Sequence, residues 1–566
     1  MKTVLNSLRD ENSLYLLQHA DNPVKWISWS NYLKIKDSVV KPLFISIGYS
    51  SCHWCHVMAE ESFSDENIAS FLNDNFTPIK IDREEYPDLD KKYQFFAQIT
   101  GSKGGWPLTI FADLDGSPFY AGTYFPKEDR YGIPSLMRIL ESINNLYKNS
   151  YEKVKLTVEN YQNFITKFYD CESLESKETD SNAFKDLFDY KNGGLKGSAK
   201  FPNIPVMEYL LDHGDDSDIM EFLVKTADAL CLSGIYDHID GGFFRYTVDS
   251  DWNIPHFEKM LYDNALNISF LSKLYEKTEN DLYLYTAKKT ADFCIEFFDT
   301  EYGFGASYDA DSYDENGNKR EGYFYTLTEE AFADLTVEEV RLLSEHCYFN
   351  NNHIRINNFI NIDIFRKLQS IFSKISIRRS NLKKRPNFDN KVIFSWNCLM
   401  ISALLDFYEV SSDEFYFNKA LDSYFKIFHT MYVDGEINRV SYRGKLLKHS
   451  VLEDYVYFLS STNKIFSITK DKNFLNIGKK ILHDILEKFY IKNILWYNRS
   501  SDVVDIFDDA TPSSFGLFLK ECEMLGRYVD LNVDLDRFVE FAKKMHSNYP
   551  FATPSLAIFL EKKYIN

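Results

Sequence analysis

The sequence predicts two folds in one chain, a mixed α/β unit followed by a larger all-α unit. Three observations carry this. Residues 43–47 form an apolar, β-rich run that stops at Gly48, and Cys52 and Cys55 follow at the start of a helix. Strand-like and helix-like segments alternate around that run up to about residue 145. Beyond about residue 181 strands nearly vanish and long amphipathic helices recur in pairs.

The first unit is expected over 1–172, with its core at about 36–145. Two short helices separated by a turn at Asn22-Pro23 come first, and His19, beside Leu16 and Leu17, reads as a structural residue. The strand at 43–47 leads through a loop into the helix that opens after Cys52. An alternating strand at 76–82, a helix from 87 to about 100, a loop ending at Trp106-Pro107, a strand at 108–111, a turn at 113–116 and a strand at 118–121 complete it. That order is the order of a thioredoxin fold. In that fold a cis proline faces the thiols, so a cis bond is expected at Trp106-Pro107. Thioredoxins often carry a buried acid six residues ahead of the first cysteine, as proton acceptor for the resolving thiol; here Ser46 holds that place.

A helix N-terminus carries about half a positive elementary charge, which stabilises a thiolate placed there, and His53 and His56 add to it. Cys52 is therefore the expected attacking thiolate and Cys55, one turn on, the resolving thiol. Cys52-His53-Trp54-Cys55-His56 also fits c-type haem attachment, which would call for export and a distal ligand that the sequence does not signal. Cys52, Cys55 and His56 are ligand types for zinc as well, yet no second cysteine or histidine pair stands at the spacing of a closed site. No resident metal or cofactor is expected.

The 566 residues are 45% apolar and 26% charged, which is an ordinary globular composition with ample core. With 64 basic against 84 acidic side chains the formal net charge is −20, which argues against nucleic acid and anionic membrane as partners. Residues 1–6 are not followed by an apolar stretch and no run of eighteen apolar residues occurs, so a cytoplasmic protein is expected. Six of the eight cysteines are isolated and read as small buried hydrophobes.

The polar segment at 171–181 is the expected domain boundary, and the second unit is expected over 182–566. Helices pair as 207–212 with 219–232, 256–277 with 282–298, 396–408 with 415–429, 452–469 with 474–490, and 513–528 with 537–547. First helices starting near 396, 452 and 513 give a repeat of about sixty residues, which fits a helical hairpin with an elaborated loop and predicts an α-toroid.

Several motifs resemble the spermatogenesis-associated thioredoxin-domain family. They are Tyr15-Leu16-Leu17-Gln18-His19-Ala20, Gly48 through Met58 around the cysteines, Asp82-Arg83-Glu84-Glu85, Gly104-Gly105-Trp106-Pro107, and Gly122-Thr123-Tyr124-Phe125-Pro126. The second unit adds Tyr236 through Tyr246 and Pro255 through Ala265, so the resemblance spans essentially the whole chain; Leu14 departs from the usual Ser-Pro-Tyr-Leu. It implies a multidomain protein, a thioredoxin-like domain followed by an (α/α)6 toroid similar to sugar epimerases and six-hairpin glycosidases. The family carries no settled reaction.

In such toroids loops at one end of the inner helices form a funnel. The candidates there are His238, Asp240 and Arg245 around Gly241-Gly242, then Trp252, then His256, Glu258 and Lys259, then Asp263 and Asn264. Asp309, Asp311, Glu321, Tyr323, Trp396, Asn397, Glu453, Asp454, Asp508 and Asp509 extend the set. Acids, imidazoles and tryptophan serve hydroxyl contacts, proton transfer and ring stacking on a sugar. An epimerase would oppose two bases, His238 and His256; a hydrolase would pair Asp240 or Glu258 with Asp309 or Asp454, at ~6.5–9.5 Å for inversion or ~5–5.5 Å for retention. Singly, each of these residues reads as structural: His256, Glu258 and Asp263 as caps and braces of a helix, and Asp508-Asp509 as a helix start.

The leading functional expectation is a thiol–disulfide oxidoreductase working on a protein dithiol or disulfide through Cys52, Cys55, His53, His56 and Pro107, with the toroid recognising substrate. A sugar isomerase or hydrolase binding its carbohydrate in the toroid, and a non-catalytic scaffold, are the alternatives.

Overall fold

The computed structural model describes residues 6–130, 132–170, 181–350, 353–357, 361–500, 502–531 and 533–564. The chain divides into two compact units, Met1–Leu174 and Glu175–Asn566. Most of the polar segment expected at the boundary, with Cys171, lies outside the described residues.

In the first unit a short helix α1 (Leu14–Leu17) precedes β1 (Ile27–Ser28) and α2 (Trp29–Ile35); β1 is a strand that the sequence reading did not contain. Then come β2 (Leu43–Gly48), α3 (His53–Glu61), α4 (Glu66–Asn75), β3 (Thr77–Asp82), α5 (Pro87–Ile99), β4 (Leu108–Ala112) and β5 (Pro118–Gly122). Two helices, α6 (Leu136–Asn149) and α7 (Tyr151–Phe168), end the unit. The sheet order is β1-β3-β2-β4-β5, parallel from β1 to β2 and antiparallel beyond, which is a thioredoxin-like sheet with one extra edge strand.

The period-two pattern of β2 sorts its side chains. Leu43, Ile45 and Ile47 join Ile79, Ile81, Leu108 and Ile110 in a core packed with Tyr93 and Phe96 of α5. Phe44, Ser46 and Gly48 point to the opposite face, with Pro78, Lys80 and Asp82 as their register partners on β3. Trp26, Phe63 and Phe111 pack around Phe44 on that second face.

The second unit contains α8 (Ile204–Asp212), α9 (Ser217–Leu232), α10 (Leu261–Thr278), α11 (Asp281–Phe297), α12 (Val337–His346), α13 (Ile362–Leu382), α14 (Phe394–Ser411) and α15 (Glu414–Met431). It continues with α16 (Leu452–Thr469), α17 (Lys472–Phe489), α18 (Ser514–Gly526), α19 (Asp536–Asn548) and α20 (Pro554–Tyr564). Helices α8, α10, α14, α16, α18 and α20 pack each on the next, and α20 returns to α8, so six helices close a ring. Five of them carry their hairpin partners outside: α9, α11, α15, α17 and α19.

The inner helices run parallel. Tyr262 at the start of α10 meets Trp396 at the start of α14 with ring centroids 4.7 Å apart, and Ser395 donates 2.6 Å to Glu453 at the start of α16. Asp508 accepts from the backbone N–H of Ser513 at 2.5 Å and of Ser555 at 2.6 Å, so one carboxylate serves the starts of both α18 and α20, as a helix-start role requires. Late in α20, Glu561 pairs with Tyr209 and His213 at the end of α8. All six helix beginnings therefore gather at one end of the ring, an (α/α)6 toroid.

Strands do not vanish here. A five-stranded sheet runs in the order Lys445–Leu447, Val440–Tyr442, Phe388–Ile393, Gly305–Tyr308, Lys259–Met260, built from loops that precede inner helices. Strands of two to six residues leave no readable alternation in sequence. For the same reason the helix expected from 256 begins only at Leu261; His256 and Lys259 lie on short strands ahead of it.

Candidate functional site

Two places concentrate chemistry, one in each unit. In the first, Cys52 is the N-cap of α3 and its sulfur accepts the Cys55 N–H at 3.2 Å, so the helix N-terminus points at it. Cys52 and Cys55 are joined in a disulfide. His56 Nε2 lies 2.9 Å from the Ser50 carbonyl and donates to it, which ties the first turn of α3 to the loop before it. His53 sits edge-on to Trp54 at 5.7 Å. Trp54 is 46% exposed and tilts against Tyr124, giving an aromatic surface beside the disulfide.

The Trp106-Pro107 bond is cis, as the sequence reading requires. Leu108, the next residue, pairs with Ile47, so Pro107 and the Cys-x-x-Cys loop leave the same end of the sheet. Gln94 of α5 holds the preceding loop from both sides: its Oε1 accepts from Gly105 N–H at 3.1 Å and its Nε2 donates to the Gly105 carbonyl at 3.1 Å. The Arg83 guanidinium lies 4.7 Å from the Tyr49 ring and 4.0 Å from the Trp106 ring, linking the ends of β2, β3 and β4. Gln94 was not legible as part of the site, because its partners are backbone atoms of a loop.

The position that an acid would hold is different in kind. Ser46 is buried, and the Lys80 ammonium nitrogen donates to its hydroxyl at 3.0 Å. Lys80 lies 5.1, 4.8 and 4.6 Å from the ring centroids of Tyr15, Trp26 and Phe63. Burial pushes its amine well below the ordinary lysine range. His19 belongs to the same packing, T-shaped against Tyr15 and Trp26 with Nδ1 at 3.0 Å from Asn22 Oδ1, in keeping with a structural role.

The second place lies where the inner helices of the toroid begin. His256 is held between two carboxylates, Nε2 at 2.8 Å from Glu258 and Nδ1 at 2.5 Å from Glu321. Burial opposes its charge, but Glu258 and then Glu321 outweigh that and raise its pKa to about 10, so it is an imidazolium at neutral pH. Arg245 stands 3.5 Å from Glu258, and Tyr246 stacks between His256 and Phe201. Farther along the sheet Arg439 binds Asp454 at 2.8 Å and Glu453 at 3.3 Å, with Ser395 and the Tyr497 hydroxyl also on Glu453. Arg439, Ser395 and Tyr497 were absent from the sequence-derived set. Asp263 lies buried in the first turn of α10, and Trp396 packs on Tyr262.

Other candidates have structural work. His238 donates to the Ser233 carbonyl at 3.0 Å, and burial lowers its pKa to about 3, so it is neutral. Asp240 binds Arg379 at 2.7 Å and Arg385 at 2.8 Å, and Lys259 binds Asp237 at 2.8 Å in the same buried network. Trp252 donates to the Asn192 and Gly193 carbonyls and is fully buried. Gly241-Gly242 does not open room for a ligand: a Cβ on either would strike Lys289 or Phe293 of α11 at 2.9 and 2.6 Å. Inside the ring is a cavity of about 260 Å³, lined by Lys273, Lys464, Asp406 and Glu521 among others.

A family model for the DsbH-type thioredoxin domain, described as a protein of unknown function, DUF255, matches residues 5–166. Spermatogenesis-associated protein 20 of Rattus norvegicus is 30% identical over 554 residues, covering 86% of this chain and 70% of the rat protein. The chain belongs to the spermatogenesis-associated protein 20 family. An uncharacterized protein of Caenorhabditis elegans in the same comparison is 28% identical, covering 99% of this chain and 86% of its own length. Among solved structures, a sugar epimerase from a ruminal bacterium is similar at 13% identity, covering 65% of this chain and 82% of its own, with a TM-score of 0.42. The ring of this family member rests on its own helix contacts and not on that likeness. Among the described residues no helix is long and apolar enough to cross a membrane.

Proposed function

We propose that this family member is a thiol–disulfide oxidoreductase. The observation that carries the reading is the placement of Cys52 at the N-cap of α3, with the Cys55 N–H aimed at its sulfur and Cys55 within bonding reach. In the reduced protein that N–H and the helix dipole stabilise the Cys52 thiolate, which attacks a substrate disulfide; Cys55 then displaces the substrate thiol and closes the Cys52–Cys55 bond. Pro107, at the same end of the sheet as the pair, and the exposed Trp54 offer a surface for an extended polypeptide, while His56 ties the first turn of α3 to the loop before it. The toroid supplies substrate recognition. We place the activity in the cytoplasm, where the buried thiols Cys231, Cys294, Cys347, Cys398 and Cys522 stay reduced.

A thiol-trapping redox titration tests this, with Cys52→Ser as control and zinc assayed on the same sample. The expected result is a two-electron couple between about −270 and −120 mV, the span of known oxidoreductases. A pair that does not cycle, or that holds stoichiometric zinc, overturns the reading.

One observation favours a second reading, carbohydrate chemistry in the toroid: Arg245, His256, Glu258 and Glu321 gather charged hydrogen-bonding groups where the inner helices begin, the residue types that bind sugar hydroxyls. Its mark would be sugar turnover that persists in Cys52→Ser and Cys55→Ser variants and is lost in His256→Gln.

A further inference from the structure

The thioredoxin-like unit buries a lysine beside Ser46, the place that an acid would hold. Among the described residues Lys80 has one polar partner for its amine, the Ser46 hydroxyl, and three aromatic rings around it. Ser46 and Lys80 are register partners on β2 and β3, on the sheet face that also carries Gly48. Next to Gly48, the Tyr15 hydroxyl and the Cys55 sulfur converge: a Cβ at Gly48 would meet the first at 2.6 Å and the second at 2.7 Å. Among the described residues the buried Tyr15 hydroxyl has no hydrogen-bond partner, and after burial its ionisation feels first the Asp82 carboxylate, which opposes it, and then the Ser46 hydroxyl, which favours it. A sulfur, an uncommitted phenol, a serine hydroxyl and an amine thus follow one another from α3 to the middle of the sheet. Other titratable groups bearing on this path are Asp82, next along β3, and His19, on the Tyr15 ring.

From this arrangement we infer that Lys80 is the proton acceptor for the resolving thiol Cys55, reached through the hydroxyls of Tyr15 and Ser46. The inference rests on the oxidoreductase reading. In the resolving step Cys52 is bonded to a substrate sulfur; the Cys55 S–H proton passes along the two hydroxyls to the Lys80 amine. The Cys55 thiolate attacks the Cys52 sulfur, the Cys52–Cys55 bond forms, and the substrate leaves as a thiolate that carries the electron pair and takes a proton from water. The dithiol is oxidised by two electrons and the substrate disulfide reduced by two. Burial lowers the amine's hold on a proton, so the neutral form that can receive one becomes accessible, and the rings of Tyr15, Trp26 and Phe63 stabilise the resulting ammonium. In the reverse direction the ammonium returns the proton to Cys55 as it leaves the disulfide.

The test is single-turnover mixing of the reduced full-length protein with 5,5′-dithiobis(2-nitrobenzoate), which releases one coloured thiolate when Cys52 is modified and a second when Cys55 resolves the mixed disulfide. Lys80→Met is expected to slow the second release by about 10²-fold and move its pH dependence to higher pH, leaving the first release unchanged. Lys80→Arg, which keeps a cation but cannot accept a proton near neutrality, is expected to be as slow. Should Lys80→Met not fold, Tyr15→Phe and Ser46→Ala decide the matter, each expected to slow the second release by about tenfold. A second release with wild-type rate and pH profile in these variants overturns the inference while the oxidoreductase reading stands; no release of either thiolate from wild type overturns both.

Discussion

Lys80 in the first unit and Lys259 in the second are both buried lysines lying among aromatic rings, yet they differ in what answers their charge. Lys259 is bonded to Asp237 at 2.8 Å and to the Gly241 carbonyl at 2.7 Å, within a network that continues through Arg379 to Asp240. Burial pushes the Asp237 carboxyl up, but Lys259 and then Arg379 overcome it and hold the group far below the ordinary carboxylate range. Lys80 is answered by a hydroxyl and by ring faces. A buried cation with a carboxylate beside it is part of the architecture, because each charge makes the other tolerable. A buried amine with no acid is free to change its protonation state, and this is what proton transfer needs.

The sharpest way to break that contrast is to remove each amine without changing its volume. Lys259→Met leaves the buried Asp237 with the longer Arg379 contact of 3.4 Å and the backbone N–H groups of Ile239 and Asp240, and is expected to cost about 3–5 kcal/mol in urea unfolding. Lys80→Met removes an amine that costs free energy to bury and loses one hydrogen bond, so a change within about 1 kcal/mol, of either sign, is expected. Equal losses in the two variants would dissolve the distinction.

A smaller effect separates the groups that converge on Cys55. Gly48→Ala would place a methyl group at 2.6 Å from the Tyr15 hydroxyl and 2.7 Å from the Cys55 sulfur, so one or both must move. Overpacking of this kind costs about 1–3 kcal/mol. The expected result is lower stability of the thioredoxin-like unit together with slower resolution by Cys55, read by denaturation and by thiolate release. Loss of stability with unchanged resolution would separate Gly48 from the proton path.

The contrast between the units also explains what the sequence makes legible. Cys52, Cys55 and Pro107 declare themselves because a local motif and a strand order fix their places, and sheet register then follows from the alternation of Leu43, Ile45 and Ile47. The helix pairs of the toroid are legible from period and spacing; the closing helix α20 and the five-stranded sheet are not, since one starts at a proline near the end and the other is made of short strands far apart in sequence. Charge clusters are the least legible. His238 and His256 look alike in sequence, yet one is a neutral core residue on Ser233 and the other an imidazolium between Glu258 and Glu321, and only contacts across 65 residues of chain decide which. Lys80 was invisible as chemistry for the same reason: its meaning depends on Tyr15 and Ser46, brought to it by register.

The last effect to look for is a pair of opposite slopes in stability against pH. His256 has a folded pKa of about 10 against an ordinary value near 6.5, so the folded state binds the extra proton. Its contribution is fully present below about pH 6.5 and is lost as pH rises toward 10, and stability of the toroid falls across that window. Lys80 works the other way. Its folded pKa is depressed, so below the unfolded pKa the unfolded chain holds more of the proton than the folded one, and stability of the first unit rises with pH until the unfolded lysine titrates near 10.4. Urea unfolding at several pH values between 6.5 and 10, compared for wild type, His256→Gln and Lys80→Met, measures both. His256→Gln is expected to remove a falling component and Lys80→Met a rising one. A rising component that survives Lys80→Met would mean that the amine is charged in the folded protein, held there by its aromatic rings, and an amine already protonated has no place to put the proton of Cys55.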